Sequence, residues 1–203
     1  MSENQIRVSM INYNTMNYTK IILASKSPRR QQLLREAGFN FEIKTKEVEE
    51  IYPDEMPVRE VPAYLSQLKA AACTEFLEAE KVLLTADSVV ILKDTIYGKP
   101  KDAQDAFQII KALSGNIHEV ITGVTLRTIE KSLTFSDVAY VHFDTLTDDE
   151  IWFYINNYQP FDKAGAYAIQ EWIGLTKIIK IDGSYYNIMG LPVQKVYQHL
   201  QGF

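Results

Sequence analysis

From Lys20 onward, apolar and polar positions fall into blocks that predict their own elements. Ile21-Ile22-Leu23-Ala24 is a short apolar run that predicts a buried strand. Ser27-Pro28 opens a helix, with serine as the cap and proline at the first helical position. Leu33, Leu34 and Ala37 give that helix its apolar face, and Gly38 stops it. Phe39 to Thr45 predicts a second strand, and an acidic loop follows from Glu47 to Glu55, closed by Pro53 and Pro57. Val61, Leu65, Leu68, Ala72 and Phe76 recur at helical spacing and predict a long helix from Arg59 to Ala79, with Pro62 in its first turn.

Val82 to Leu92 predicts a strand that turns at Lys93-Asp94-Thr95 into Ile96-Tyr97. Asp102 caps a helix through Leu113, which Ser114-Gly115-Asn116 stops. Strands follow over His118 to Arg127 and Leu133 to Phe143, the second with Ala139, Val141 and Phe143 on one side. Thr147 and Glu150 form the capping box of a helix reaching Asn157. Gly165 predicts a close backbone approach, followed by a strand toward Gln170. Asp182-Gly183-Ser184 predicts a hairpin between Ile178 to Ile181 and Tyr185 to Ile188, and Pro192 opens a last helix. Helices interleaved with strands and hairpins imply an α/β domain, a mixed sheet with flanking helices. Met1 to Thr19 stands apart as polar, Asn-rich and aperiodic. It reads as a frayed extension or a mis-assigned start, Met10 and Met16 being later candidates, which leaves 20–203 as one domain.

Composition narrows the class. The 203 residues are 46% hydrophobic and 23% charged, as expected of a globular chain able to bury a core. No apolar run approaches the roughly 18 residues of a membrane span, and the N-terminus lacks the pattern of a signal peptide. The single cysteine, Cys73, excludes an internal disulfide framework and a cysteine metal site. The expectation is a cytoplasmic protein with no membrane partner. A net charge of −5 without a block of basic residues argues against duplex nucleic acid. It leaves room for phosphate held by a few local cations.

Those cations break a local rule. Arg29 and Arg30 stand in the first turn of the first helix, where the helix dipole favours Asp or Glu. Either both point into water, or an anion meets the helix N-terminus, the hydroxyls of Ser25 and Ser27 and two guanidinium forks. No Walker loop and no Gly-x-Gly-x-x-Gly occurs, which takes most of the weight from kinase-type and Rossmann-type readings. Asp87 and Ser88 interrupt an apolar run. A buried aspartate there is either a hydrogen-bonded structural acid or a carboxylate that binds a divalent metal or takes a proton from water. Glu47, Glu49 and Glu50 could add a second carboxylate, although a solvated loop suits most of them. Taken alone, Lys69 reads as a snorkelling lysine, Lys99 as a turn lysine and Gln170 as a surface glutamine able to read a base edge.

The order of these pieces resembles the Maf family of nucleotide pyrophosphatases. The matching stretches are Leu23-Ala24-Ser25-Lys26-Ser27-Pro28-Arg29-Arg30, Ala86-Asp87-Ser88-Val89-Val90, Gly98-Lys99-Pro100, Leu113-Ser114-Gly115, Asp162-Lys163-Ala164-Gly165-Ala166-Tyr167 with Ile169-Gln170, and Gly190-Leu191-Pro192. The resemblance implies an elongated, two-lobed α/β domain with a central cleft, of the kind shared with inosine triphosphate pyrophosphatases. It implies hydrolysis of a nucleoside triphosphate between the α- and β-phosphates, with a divalent cation, magnesium first and manganese second. It casts Asp87 as general base and metal ligand, and Glu50 (or its neighbour Glu49) as the acid near the metal. Ser25, Arg29 and Arg30 match the phosphate-binding segment, and Lys69 and Lys99 match further cationic contacts. Arg29, Ser88 and Gln170 match positions linked to substrate choice, and the segment from Asp162 to Gln170 looks like the branch acting on dTTP and UTP. Many members carry threonine where this chain has Ser88. The resemblance further implies house-cleaning of nucleotide pools, a link to cell-division arrest, and leaves a homodimer open. The alternatives are a pyrophosphatase for modified nucleotides such as 7-methyl-GTP and a nucleotide-sensing division regulator with incidental hydrolysis. Nucleic-acid binding is a weak third.

Overall fold

A computed structural model of the chain describes residues 20–203; the expected N-terminal extension, 1–19, lies outside the described residues. One seven-stranded mixed sheet organises them, built from β1 (Lys20–Leu23), β2 (Phe41–Ile43), β3 (Lys81–Leu92), β4 (Thr95–Tyr97), β5 (Ile117–Arg127), β6 (Ser132–Phe143) and β7 (Ile178–Asp182). The order is β2-β1-β3-β5-β6-β7, with β4 pairing β3 beyond the end of β1. β2, β1 and β3 run parallel, whereas β3, β5, β6 and β7 form antiparallel ladders. The parallel part needs crossovers, which α1 (Pro28–Glu36) and α2 (Val61–Ala72) supply. α3 (Ala103–Leu113), α4 (Asp148–Tyr158), α5 (Trp172–Lys177), α6 (Tyr185–Met189) and α7 (Val193–Leu200) complete the domain.

The two faces of β3 follow the strand period of two. Val82, Leu84, Ala86, Val90 and Leu92 join the larger core with the buried faces of α1, α3, α4 and α7. Leu83, Val89 and Ile91 point the other way, into the smaller clusters under α2. α2 sits unusually close to the sheet: a Cβ on Gly123 of β5 would lie 2.3 Å from the Pro62 carbonyl. The caps behave as the sequence predicts. Ser27, Asp102 and Thr147 accept from backbone N–H groups of α1, α3 and α4, and Thr147 with Glu150 completes its box. Lys93 and Asp94, both at positive φ, make the tight turn into β4.

Three expectations need correction. The long helix is shorter: it ends at Ala72, and the chain tightens into a 3-10 turn at Thr74–Phe76. The strand expected after Gly165 does not form, because 3-10 turns at Pro160–Asp162 and Ala164–Ala166 hold this segment against β3 rather than beside another strand. The close approach at Gly165 is present: a Cβ there would meet Val90 Cγ2 at 2.8 Å, at φ +70°. The hairpin after Gly183 is also absent. Ser184 caps a helix instead, its hydroxyl accepting from the Asn187 N–H, so Tyr185–Met189 is α6.

Candidate active site

The site lies on an interruption in the sheet. β1 pairs with β3 only as far as Leu84, and β4 takes over the same edge at Val90. Between them, residues 85–89 of β3 pair with no strand on that edge among the described residues. A cleft of about 1210 Å³ opens over this gap, lined by the start of α1, the acidic loop, α2, the turn after β4, the 162–170 segment and the end of α6. Seven basic and five acidic side chains line it, so the cleft is net positive within a chain whose net charge is −5. That inversion favours an anionic ligand.

Because neighbouring side chains on a strand point to opposite faces, Asp87 and Ser88 build two different walls. On the α2 wall, Lys69 Nζ lies 2.6 Å from Asp87 Oδ1 and 2.7 Å from Glu50 Oε1. Asp87 is 8% exposed, and burial pushes its carboxyl above the usual range, against the pull of Lys69 and Arg30. Glu50 is also desolvated, but the Lys69 hydrogen bond and the charges of Lys69, Lys99 and Arg30 hold it below the usual range. Of the two neighbouring glutamates, Glu50 is the one paired with Lys69, and Glu47 pairs with Lys26 at 2.9 Å. Lys99 and Gln170 line the same cleft from exposed positions.

On the opposite wall stands the start of α1. Ser27 caps it, Pro28 follows, and its first turn carries no acid, so Arg29 and Arg30 meet the positive end of the dipole as the sequence indicated. Their surroundings differ. Among the described residues Arg29 Nη1 reaches only the exposed Asp162, at 3.2 Å. The Arg30 guanidinium is held by the chain: Nε donates to Gly190 O at 2.8 Å, Nη1 to Ala86 O at 2.7 Å and to Ser25 Oγ at 3.4 Å, and Nη2 to Ser88 Oγ at 3.0 Å. The bond to Ala86 satisfies a carbonyl on the open edge of β3. Four of the five guanidinium N–H groups are thus committed. Ser25 is buried and also accepts from the Ser27 N–H at 3.2 Å.

The floor is the 162–170 segment. Asp162 links Arg29 to the buried Lys163 (2.8 Å), which lies 3.5 Å from Glu171. Glu171 accepts from the Tyr154 hydroxyl, which in turn accepts from the Ala168 N–H at 3.0 Å. Tyr167 hydrogen-bonds His118 Nε2 at 2.8 Å, and Phe143 packs edge-on against both rings. Thr122, which the sequence does not single out, and Gly190 and Asp162, which enter there only as members of the matching stretches, all hold the arginine and Ser88 wall. Thr122 left no signal, since threonine is at home in a strand.

All the residues singled out in the sequence therefore face one cleft: Ser25, Arg29, Arg30, Glu50, Lys69, Asp87, Ser88, Lys99 and Gln170. No helix among the described residues is long and apolar enough to cross a membrane.

The chain is similar to several known proteins. The family described as "Maf-like protein" matches residues 20–203. A dTTP/UTP pyrophosphatase of Flavobacterium johnsoniae is 49% identical over 181 residues, 89% of this chain and 93% of that protein. Proteins of the same description from Cytophaga hutchinsonii (47% identity; 93% of this chain, 86% of that protein) and Phocaeicola vulgatus (48%; 90% and 95%) are similarly related. Among solved structures, the Staphylococcus aureus Ham1 protein matches with a TM-score of 0.45 at 14% identity, over 61% of this chain and 71% of that one.

Proposed function

The chain belongs to the Maf family, and we propose that it splits dTTP and UTP into the nucleoside monophosphate and pyrophosphate, as the names of its relatives describe. The observation that carries this reading is the net-positive cleft at the β3 gap. There a buried carboxylate, Asp87, faces cations on both walls.

Water attacks the α-phosphorus, a new P–O bond forms, and the bond to the bridging oxygen of the leaving pyrophosphate breaks. Asp87 takes the proton of that water; its raised affinity for protons suits the duty better than an ordinary aspartate would. Arg29, Lys69 and Lys99 meet the charge growing on the pyrophosphate, in a cleft where water competes less. Ser25 and the start of α1 add hydrogen-bonding groups to the same anion site. Arg30, four of its five N–H groups already engaged, contributes its positive field and fixes the wall.

The donor set also fits a divalent cation. Asp87 and Glu50 already converge on one positive charge, the Lys69 ammonium. Among the described residues no group of three or more His, Cys, Asp or Glu converges. Two carboxylates, with the remaining positions left to substrate and water, is how magnesium is usually held. When bound, such an ion neutralises triphosphate oxygens and lowers the pKa of an attacking water. The test is pyrophosphate release from a panel of triphosphates with magnesium. Release from dTTP and UTP is expected. Release from 7-methyl-GTP alone would overturn the assignment, and release from no nucleotide would make the protein a sensor.

A further inference from the structure

The floor of the cleft is a loop whose two ends are tied by charge. Lys163 opens it and Glu171 closes it, with Lys163 Nζ 3.5 Å from Glu171 Oε1. Between them Gly165 (φ +70°) and Ala166 (φ +56°) take up left-handed backbone in succession. For the buried Ala166 that conformation is strained, and such strain persists only where neighbouring groups hold it. Glu171 is the unusual member of those groups. It stands at the N-cap of α5, yet its side chain makes no capping bond there. Its carboxylate turns back to the loop instead. Oε1 faces Lys163, and Oε2 accepts from the Tyr154 hydroxyl, which itself holds the Ala168 N–H at 3.0 Å. A residue type poor at capping, placed at a cap and engaged elsewhere, points to a tertiary duty.

From Glu171 the charges alternate into the cleft. Lys163, 7% exposed, is shared by Glu171 and by Asp162, whose Oδ1 lies 2.8 Å from Nζ. Asp162 is shared in turn, because its Oδ2 lies 3.2 Å from Arg29 Nη1. Each inner charge therefore divides its attraction between two partners. A buried ammonium needs an opposite charge beside it. Without the charge of Glu171, Lys163 has Asp162 alone among the described residues and draws it away from Arg29. An arginine so released is no longer aimed at the cleft before an anion arrives, and it loses more side-chain freedom when the anion fixes it.

We propose that Glu171, which does not line the cleft, is a positioning residue: by sharing Lys163 it leaves Asp162 free to hold Arg29 ready for a phosphate. The proposal rests on the nucleotide-hydrolysing reading of the cleft, and its test separates the two. Dissociation constants for the α,β-methylene analogue of UTP, which cannot be split there, are measured calorimetrically on the full chain, beside pyrophosphate release from UTP by the unaltered protein. Glu171→Gln keeps an acceptor for Tyr154 and removes only the charge. It should weaken analogue binding about fivefold, the effect of one ion pair with an exposed partner. Loss of a negative charge behind the floor would by itself tighten the binding of an anion, so the two effects have opposite signs. Lys163→Met combined with Glu171→Gln should restore binding to within about twofold of the unaltered protein, because Asp162 then has Arg29 alone. A role in loop stability only would make this double variant worse than the single one. In an Arg29→Ala background, Glu171→Gln should change binding by less than about twofold. Without nucleotide, the NMR order parameter of Arg29 Nε should fall in Glu171→Gln and recover in the double variant. Unchanged or tighter binding in Glu171→Gln, a double variant no better than the single one, or an equal loss in the absence of Arg29 would each overturn the proposal. So would an unchanged Arg29 order parameter. The expected binding pattern without UTP hydrolysis would sink the enzymatic reading alone.

Discussion

Lys69 Nζ stands 2.6 Å from Asp87 Oδ1, and the pair joins α2 to the open edge of β3. Both side chains are mostly buried, at 16% and 12% exposure, so the aspartate's charge is balanced locally rather than by water. Asp87→Asn keeps the shape and an acceptor for Lys69 but removes the group that takes the proton. Turnover should fall by about 10² to 10⁴, the usual worth of a general base, with the melting temperature nearly unchanged. Pyrophosphate release and a thermal melt read the two effects, and near-normal release in this variant would sink the base assignment.

The two arginines should separate by measurement. Arg30 ties Gly190, Ala86, Ser25 and Ser88 together, so Arg30→Ala leaves several acceptors without a donor. A stability loss of about 2–4 kcal/mol is expected, given that a bond to a charged group contributes roughly 1.5–3 kcal/mol and such losses do not add fully. Among the described residues Arg29 has one ion pair, with an exposed partner, the kind that contributes about 0–1 kcal/mol. Arg29→Ala should therefore unfold in urea like the parent while raising KM for UTP. Equal stability losses in the two variants would show that Arg30 is not a pin.

How far the sequence foretold this site follows from which features are local. The caps at Ser27, Asp102 and Thr147 depend on bonds within three residues, and all three are where the sequence puts them. Asp87 inside an apolar run and two arginines at a helix start were visible because each breaks a rule of its own element. The misread stretches have local patterns that tertiary structure or a cap overrides. Tyr185–Met189 carries strand-like residues, yet Ser184 starts a helix there. The gap at residues 85–89 was invisible, since it depends on where β1 ends and β4 begins, pairings that span distant parts of the chain. The fixing of Arg30 was hidden for the same reason: its bond to Gly190 links residues 160 positions apart.

His118 makes stability depend on pH. It is buried beside Phe143 and Tyr167, its Nδ1 has no hydrogen-bond partner among the described residues, and burial followed by the charge of His142 lowers its pKa to about 3. The unfolded chain takes up a proton near pH 6.5, so between that value and about 3 the unfolded state binds more protons than the folded one. Stability is full above the window and falls as pH drops through it, by up to about 1.4 kcal/mol per pH unit. Between pH 7 and 5 the parent should lose about 2 kcal/mol more than His118→Phe, which cannot titrate there. Urea unfolding at both values checks this; parallel losses in the two proteins would show that His118 is protonated in the fold.

Gly123 offers a way to move Lys69 without touching it. It lies on β5 under the first turn of α2, and a Cβ there would fall 2.3 Å from the carbonyl carbon and oxygen of Pro62 and 2.4 Å from Ala63 N. These are backbone atoms, so no rotamer change relieves the overlap; the start of α2 must lift off the sheet. Lys69 rides on the same helix, and its reach to Asp87 depends on that seat. Gly123→Ala should cost about 1–3 kcal/mol, as overpacking usually does, and should also lower kcat for UTP because the Lys69–Asp87 contact opens. Gly98→Ala is the matched control for stability, since its Cβ would meet nothing within 4 Å. A Gly123→Ala protein as stable and as active as the parent would mean that α2 can shift without disturbing the cleft, and that the seating of this helix does not set the geometry of the site.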